Sequence, residues 1–323
     1  MVSERTDRPK TLPVEKVKNQ KSFGARLLKD LSYNRYAYLM VIPALVYYFL
    51  FHYMPLYGAQ IAFRTFNFRL GIMGSPWVGL ENFSAFFSSY YFIRLIRNTL
   101  LLSIAIIVFG FPAPIILALL INEVRNNAFK RFTQSITYLP HFISMVVVCN
   151  FILDFTARDG VINQMLTSFG FEAIIFMRQP EWFRPIYVIS EIWQDVGWGS
   201  IIYLAALSGI DQELYEACRV DGGGRFRQMF SVTIPGIAPT IIILLILRTG
   251  RIMNVGLEKT LLLYNPGIYE TADIISTFVY RKGLIELDYS YSAAVGLFNS
   301  VVNFTMLMVV NRISKKVSET SLF

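Results

Sequence analysis

Four ionisable side chains interrupt otherwise apolar runs, and they set the chemistry on offer: Glu191 and Asp195 in one run, Arg248 and Arg251 in another. An ionised group inside a bilayer is costly unless paired or hydrated, so each is a candidate functional residue. At helical spacing Glu191 and Asp195 stand one turn apart, with Tyr187, Gln194 and Trp198 on nearly the same face and Trp193 in the same run. Asn254 lies one turn beyond Arg251, and Asn299 and Asn303 share a face of a later run. Carboxylates, guanidiniums and amides bond hydroxyl groups of a polar solute, while the rings of Trp193, Trp198 and Tyr203 suit its C–H faces. Arginine also meets a carboxylate with two parallel hydrogen bonds. The same charges suit a structural role. Counted inward from the outer helix ends at about 1.5 Å per residue, Glu191 falls level with Arg251 and Asp195 with Arg248, which predicts two ion pairs between helices. Asn299 and Asn303 equally suit hydrogen bonds between helices.

Covalent and metal chemistry find little support. Cys149 falls in an apolar run and Cys218 in a polar loop across the membrane from its far end, so no disulfide joins them. His52 and His141 sit in or beside apolar runs, with no Cys/His set or HExxH spacing that would hold a metal and no Ser/His/Asp arrangement. The cluster Gly222, Gly223, Gly224 lacks the Lys-Ser/Thr of a phosphate loop; Lys259-Thr260 comes three residues after Gly256, with no strand before it. The chain is therefore expected to bind no cofactor and to hydrolyse no ATP.

These residues must be positioned by membrane helices. Of 323 residues 54% are hydrophobic and only 16% charged, against about 25% charged in soluble domains. Apolar runs of about 20 residues predict spans at 37–57, 95–121, 135–157, 184–207, 237–257 and 291–311. The first 36 residues carry nine Lys/Arg (Arg5, Arg8, Lys10, Lys16, Lys18, Lys21, Arg26, Lys29 and Arg35), and the 122–134 and 211–236 loops and the C-terminus add three each. The opposite loops hold fewer, which places both termini in the cytoplasm and relates the +8 net charge to topology and lipid headgroups, not nucleic acid. The expected organisation is a basic tail over 1–36, a six-span domain over 37–311 and a second tail over 312–323. Phe23, Leu27, Leu28 and Leu31 predict an interfacial helix in the first tail, and the aromatic, Gly/Pro-punctuated 58–94 segment a compact cap.

The loop over 211–236 is unusually patterned. Leu214, Ala217 and Cys218 form one apolar stripe, Asp221-Gly222 breaks the helix, and Phe226, Met229 and Phe230 form a second stripe before Pro235 opens the next span. Two short amphipathic helices meeting at a glycine elbow can lay an apolar knob in a groove on another protein, with Glu216 and Arg219 at the rim. The alternative is an elbow packed on its own bundle.

Here the sequence resembles a family. The run EACRVDGGGRFRQMFSVTIPG, from Glu216 to Gly236, is similar to the EAA signature of permease subunits of binding-protein-dependent ABC importers, where Glu-Ala-Ala precedes Asp-Gly-Ala and a later Ile-x-Leu-Pro. Glu216, Ala217, Asp221, Gly222 and Pro235 match by position, whereas Cys218 and Gly223 replace alanines. WVGLENF from Trp77, NTL from Asn98, YLP from Tyr138 and LLYNPGIYETADIISTFVYRKGL from Leu262 resemble the carbohydrate class, the last of them its polysaccharide-type branch, which includes alginate and plant-polymer oligosaccharide importers. The resemblance implies an all-α integral membrane protein, a six-helix type I importer bundle in the bacterial inner membrane. It implies a second homologous permease subunit, two ATPase subunits that carry ATP and magnesium, and an extracytoplasmic solute-binding protein. Glu216, Ala217, Cys218, Arg219, Asp221, Gly222, Gly223 and Phe226 would form the ATPase-coupling elbow. With the intramembrane arginines, it implies an acidic oligosaccharide as substrate, a neutral one being the alternative. An ion-coupled secondary transporter would use the same carboxylates as a relay but leave the 211–236 loop without a purpose, and a membrane enzyme would need an acidic cluster in an aqueous loop.

Overall fold

The computed structural model describes residues 33–318, so the interfacial helix expected within 23–31 lies outside the described residues. The chain divides after Gly58 into two compact units. In the first, α1 (Arg35–Tyr48) carries Pro43 in its interior and runs on through a wider i→i+5 turn, Phe49–Tyr53.

The second unit is built on helices. α2 (Phe92–Ala105) continues through a wide turn, Ile106–Gly110, into α3 (Pro112–Glu123), a continuous apolar stretch from Phe92 to Glu123. Then come α4 (Asn127–Tyr138) and α5 (Met145–Phe155), α6 (Pro180–Ser208), α7 (Gln212–Val220), α8 (Arg225–Gln228) and α9 (Ile234–Thr249), α10 (Leu257–Leu263) and α11 (Tyr289–Ser318). α6 is the hub and packs against α3, α4 and α9. Small residues let it approach: a methyl at Gly197 would collide with the Thr137 carbonyl of α4, and one at Gly199 would press on Pro114 of α3. Buried cores form around Leu102, Phe183 and Ile274, around Phe86, Met253 and Phe278, and around Ala118, Leu207 and Ile237. The segment after Ala62 folds as a cap: Phe63 stacks on Trp77 at 5.5 Å, and Asn82 donates to the Ala62 carbonyl at 2.9 Å.

Among the described residues, four helical stretches are long and apolar enough to cross a membrane, Arg35–Phe63, Phe92–Glu123, Arg225–Thr249 and Tyr289–Lys316. At 29 residues α6 extends about 43 Å, ample for a crossing, although Glu191, Gln194 and Asp195 dilute its apolar character.

Two expected spans require correction. The third, 135–157, is not one helix: α4 and α5 meet at 97°. Pro140 removes a backbone donor, the chain tightens into a 3-10 turn at Leu139–Phe142, and Ile143 and Ser144 are extended. The fifth, 237–257, begins and ends earlier. Helix runs from Arg225 through a wide turn at Met229–Thr233 to Thr249, so Pro235 sits inside a continuous helix. Arg251 and Asn254 fall in the turn after it.

A buried carboxylate ties the segment between α10 and α11 to the bundle. Asp273 accepts from Arg281 at 2.9 Å, from Arg94 of α2 at 3.2 Å and from Thr277 at 3.0 Å. Asn98 donates to the carbonyls of Glu270 and Asp273 and accepts from Arg184 of α6. Burial alone would lower the Arg281 pKa, but the hydrogen bonds and charge of Asp273 outweigh it and hold the guanidinium above its usual value.

Candidate functional site

The elbow is made by local backbone bonds. Asp211 caps α7 by accepting from the Glu213 amide at 3.0 Å. At its other end the Gly223 amide reaches the Cys218 carbonyl at 2.8 Å and the Gly222 amide the Arg219 carbonyl at 3.0 Å, a Schellman closure. Gly222 has φ +75°, a conformation costly for other residues, and a methyl at Gly223 would strike both Sγ and carbonyl oxygen of Cys218. Tyr215 bonds Thr233 at 3.1 Å, and Gln228 donates to the Gly223 carbonyl at 3.0 Å, fixing the elbow to the start of the Arg225–Thr249 helix.

This arrangement turns the bonding groups inward and leaves the rest outside. Leu214, Glu216, Ala217 and Phe230 are exposed, Phe226 is 78% exposed and Val220 88%. Cys218 and Tyr215 are the half-buried side of α7, so Cys218 belongs with the elbow's packing rather than with its outer face. Val220 is an apolar knob that sequence reasoning missed, because the stripe was traced through Leu214 and Ala217. Arg219 and Arg225 line a polar cleft of about 490 Å³ between the elbow and Asn122–Arg125, with Glu123 opposite.

The second constellation gathers on α6. Glu191 lines three adjoining clefts. One of about 340 Å³ includes Tyr187, Gln194, Asp195, His141 and Lys259. One of about 200 Å³ includes Ser103, Arg248, Arg251 and Asn254. A third, of about 250 Å³, runs along Asp195, Tyr203 and Arg248 to Pro114 of α3. Tyr187, Glu191, Gln194 and Asp195 of one helical face meet at these clefts, whereas Trp198, expected on the same face, lines none of them. Trp193 does not join them: it is exposed and lines none of these clefts.

The ion pairing differs from the level-for-level scheme. Glu191 is held by Lys259, whose Nζ lies 3.0 Å from Oε2 and donates also to the Tyr187 carbonyl at 3.3 Å. Lys259 is 1% exposed and lies 4.6 Å from the centre of the Tyr187 ring. Arg248 reaches Glu191 only at 4.0 Å, and Asp195 pairs with His141 at 2.8 Å. The His141 ring lies flat on Trp198, 4.7 Å between centres. The cause is where α9 stops: ending at Thr249, it sets Arg251 into a turn, and α10 returns Lys259 to the level of Glu191. Lys259 and His141 are therefore the members that sequence reasoning missed. The run Leu261–Leu262–Leu263, one intervening residue beyond Lys259, was a usable signal that the lysine re-enters apolar surroundings.

Asn299 does not join two helices but ties α11 to the turn after α9. It donates to Asn254 Oδ1 at 2.7 Å, Asn303 donates to the same oxygen at 3.1 Å, and Asn303 accepts from the Met253 amide. Ser103 of α2 donates to the Ile252 carbonyl. The turn carrying Arg251 and Asn254 is thereby pinned to α2 and α11.

Comparison with known proteins places this geometry among transport proteins. Residues 110–319 match the family described as "Binding-protein-dependent transport system inner membrane component". The chain is 44% identical, over 96% of its length and 97% of the relative's, to the polygalacturonan/rhamnogalacturonan transport system permease protein YteP of Bacillus subtilis (strain 168). It is 45% identical to protein LplB of the same organism, over 93% of this chain and 95% of that one. Its backbone matches a chain in the crystal structure of a bacterial alginate ABC transporter in complex with alginate pentasaccharide-bound periplasmic protein, with TM-score 0.86 and 42% identity over 92% of this chain and 100% of that one.

Proposed function

The chain belongs to the family of binding-protein-dependent transport system inner membrane components, and on that premise we propose that it is the membrane-spanning subunit of an ATP-driven importer of acidic oligosaccharides. It works in the plasma membrane with both termini cytoplasmic, beside a second, homologous permease subunit. An extracytoplasmic binding protein delivers the sugar, and two partner ATPase subunits bind ATP and magnesium. The chain itself catalyses no reaction. YteP is named for polygalacturonan/rhamnogalacturonan transport and the solved transporter for alginate, an acidic polysaccharide, which supports the substrate class.

The observation that carries the mechanism is the elbow over 211–230: a turn closed by its own backbone, with Phe226 and Val220 standing clear of the bundle. Apolar knobs on a rigid support suit a groove on an ATPase, with Glu216 facing a basic group there and Arg219 an acidic one. Gly222 and Gly223 hold the elbow's shape, Ala217 and Asp221 continue its outer surface, and Cys218 packs beneath it. When the ATPases close on ATP, the elbows follow and the two permease bundles rock, so that the clefts around Glu191 open alternately to either side. Tyr187, Gln194, Asp195, Arg248, Arg251 and Asn254 line the sugar's path, Trp198 edges it, and Asn299 acts by orienting Asn254.

The test is ATPase activity of the assembly in liposomes, titrated with binding protein carrying an oligogalacturonate or its carboxyl-reduced, neutral counterpart. Stimulation by the acidic load is expected, together with its loss in Glu216→Lys. Stimulation by the neutral load alone would move the substrate class to neutral oligosaccharides. Absence of a copurifying ATPase would sink the importer assignment.

A further inference from the structure

The cleft of about 200 Å³ beside Glu191 has an unusual balance of donors over acceptors. Arg248 and Arg251 both line it. Arg251 makes no ion pair among the described residues, and the contact of Arg248 with Glu191, at 4.0 Å, is beyond hydrogen-bond range. Asn254 lines the same cleft; its carbonyl oxygen is taken by Asn299 and Asn303, which leaves its amide N–H groups as the unused half. Ser103 is spent on the Ile252 carbonyl. Glu191 is the acid in the lining, and it is engaged from the other side by buried Lys259 at 3.0 Å.

We propose that Arg248 and Arg251, with the Asn254 amide, form a subsite that reads one carboxylate of an acidic oligosaccharide, left available because Lys259 holds Glu191 away from Arg248. The inference rests on the importer reading above and adds where the acid is recognised. Without Lys259, Glu191 would close on Arg248 and fill the site from within. With it, two guanidiniums that the chain's own atoms leave exposed line a space large enough for a carboxylate: Arg248 is 47% exposed and Arg251 is exposed too. A planar fork on each side matches a carboxylate with paired hydrogen bonds, which an ammonium cannot do. The arrangement is also reversible. Glu191 lies near enough to weaken the grip through like-charge repulsion, so the sugar can leave when the clefts change shape.

The test is equilibrium binding of labelled trigalacturonate to the purified whole assembly without binding protein, with the carboxyl-reduced trisaccharide as competitor. Arg248→Gln and Arg251→Gln are each expected to weaken trigalacturonate binding about tenfold and to leave competition by the neutral sugar unchanged. Glu191→Gln should raise that affinity a few-fold, since the repelling charge is gone. Equal losses for both sugars in the arginine variants, or a tenfold loss in Glu191→Gln, would overturn the subsite and leave the acidic-substrate reading standing. If wild type binds no trigalacturonate but does bind the neutral sugar, the acidic-substrate reading falls and the subsite with it.

Discussion

The elbow over 211–230 and the polar cluster on α6 differ in the sequence distance across which they are made. The elbow closes through Gly223 to Cys218 and Gln228 to Gly223, five residues apart in each case, with Tyr215 to Thr233 as its one longer tie. The cluster joins Lys259 to Glu191 across 68 positions and His141 to Asp195 across 54. A locally closed element keeps its shape while its surroundings move, which suits a surface that another protein pushes. A site assembled from distant segments changes whenever those segments shift, which suits a binding place that must open and close. On the proposed function, the chain separates the rigid part of its task from the adjustable part.

That contrast can be broken in stages. Lys259→Met should have the largest effect on stability, about 3 kcal/mol, because it removes the buried partner of Glu191 and leaves that carboxylate only the more distant Arg248, which it must shift to reach; thermal unfolding in detergent would read it, and Glu191→Gln in the same chain should recover most of the loss. Gly223→Val should cost about 2 kcal/mol confined to the elbow, so ATPase stimulation falls sharply while the melting temperature of the bundle barely moves. A fall of both together would mean that the elbow is not an independent unit. Trp198→Ala should cost about 1 kcal/mol by removing the surface on which His141 lies, detectable as a lower melting temperature. The smallest effect belongs to Trp193→Ala, within about 0.5 kcal/mol and without change in sugar binding; a clear binding defect there would extend the path to the outer face of α6.

Legibility in the sequence follows the same division. The elbow, its glycine break and its exposed Phe226 could be read from spacing, since each depends on neighbours within two helical turns. The face of α6 with Tyr187, Glu191, Gln194 and Asp195 was legible for the same reason. Its partners were not. Extending the fifth span to 257 put Arg251 within a helix and Lys259 outside the bundle, whereas the helix ends at Thr249 and the chain doubles back through α10. Hydropathy registers which residues are apolar and cannot register such a return. The 97° break between α4 and α5 was hidden likewise, because the apolar character of 135–157 continues unbroken through the bend. Only Pro140 marked it, and proline is often accommodated inside membrane helices, as Pro235 and Pro239 are here.

The helix from Arg225 to Thr249 begins in the elbow and carries Arg248 in its last turn. At about 1.5 Å per residue it is a rod of about 37 Å. Tilting it by about 5° around its middle would carry each end about 1.6 Å in opposite directions, roughly the difference between a hydrogen bond and a broken one. Work done by a partner on Phe226 would then arrive at Arg248 as a displacement, with no relay of rearranging side chains between them. The wide turn at Met229–Thr233 is the place where such a lever would lose motion to bending.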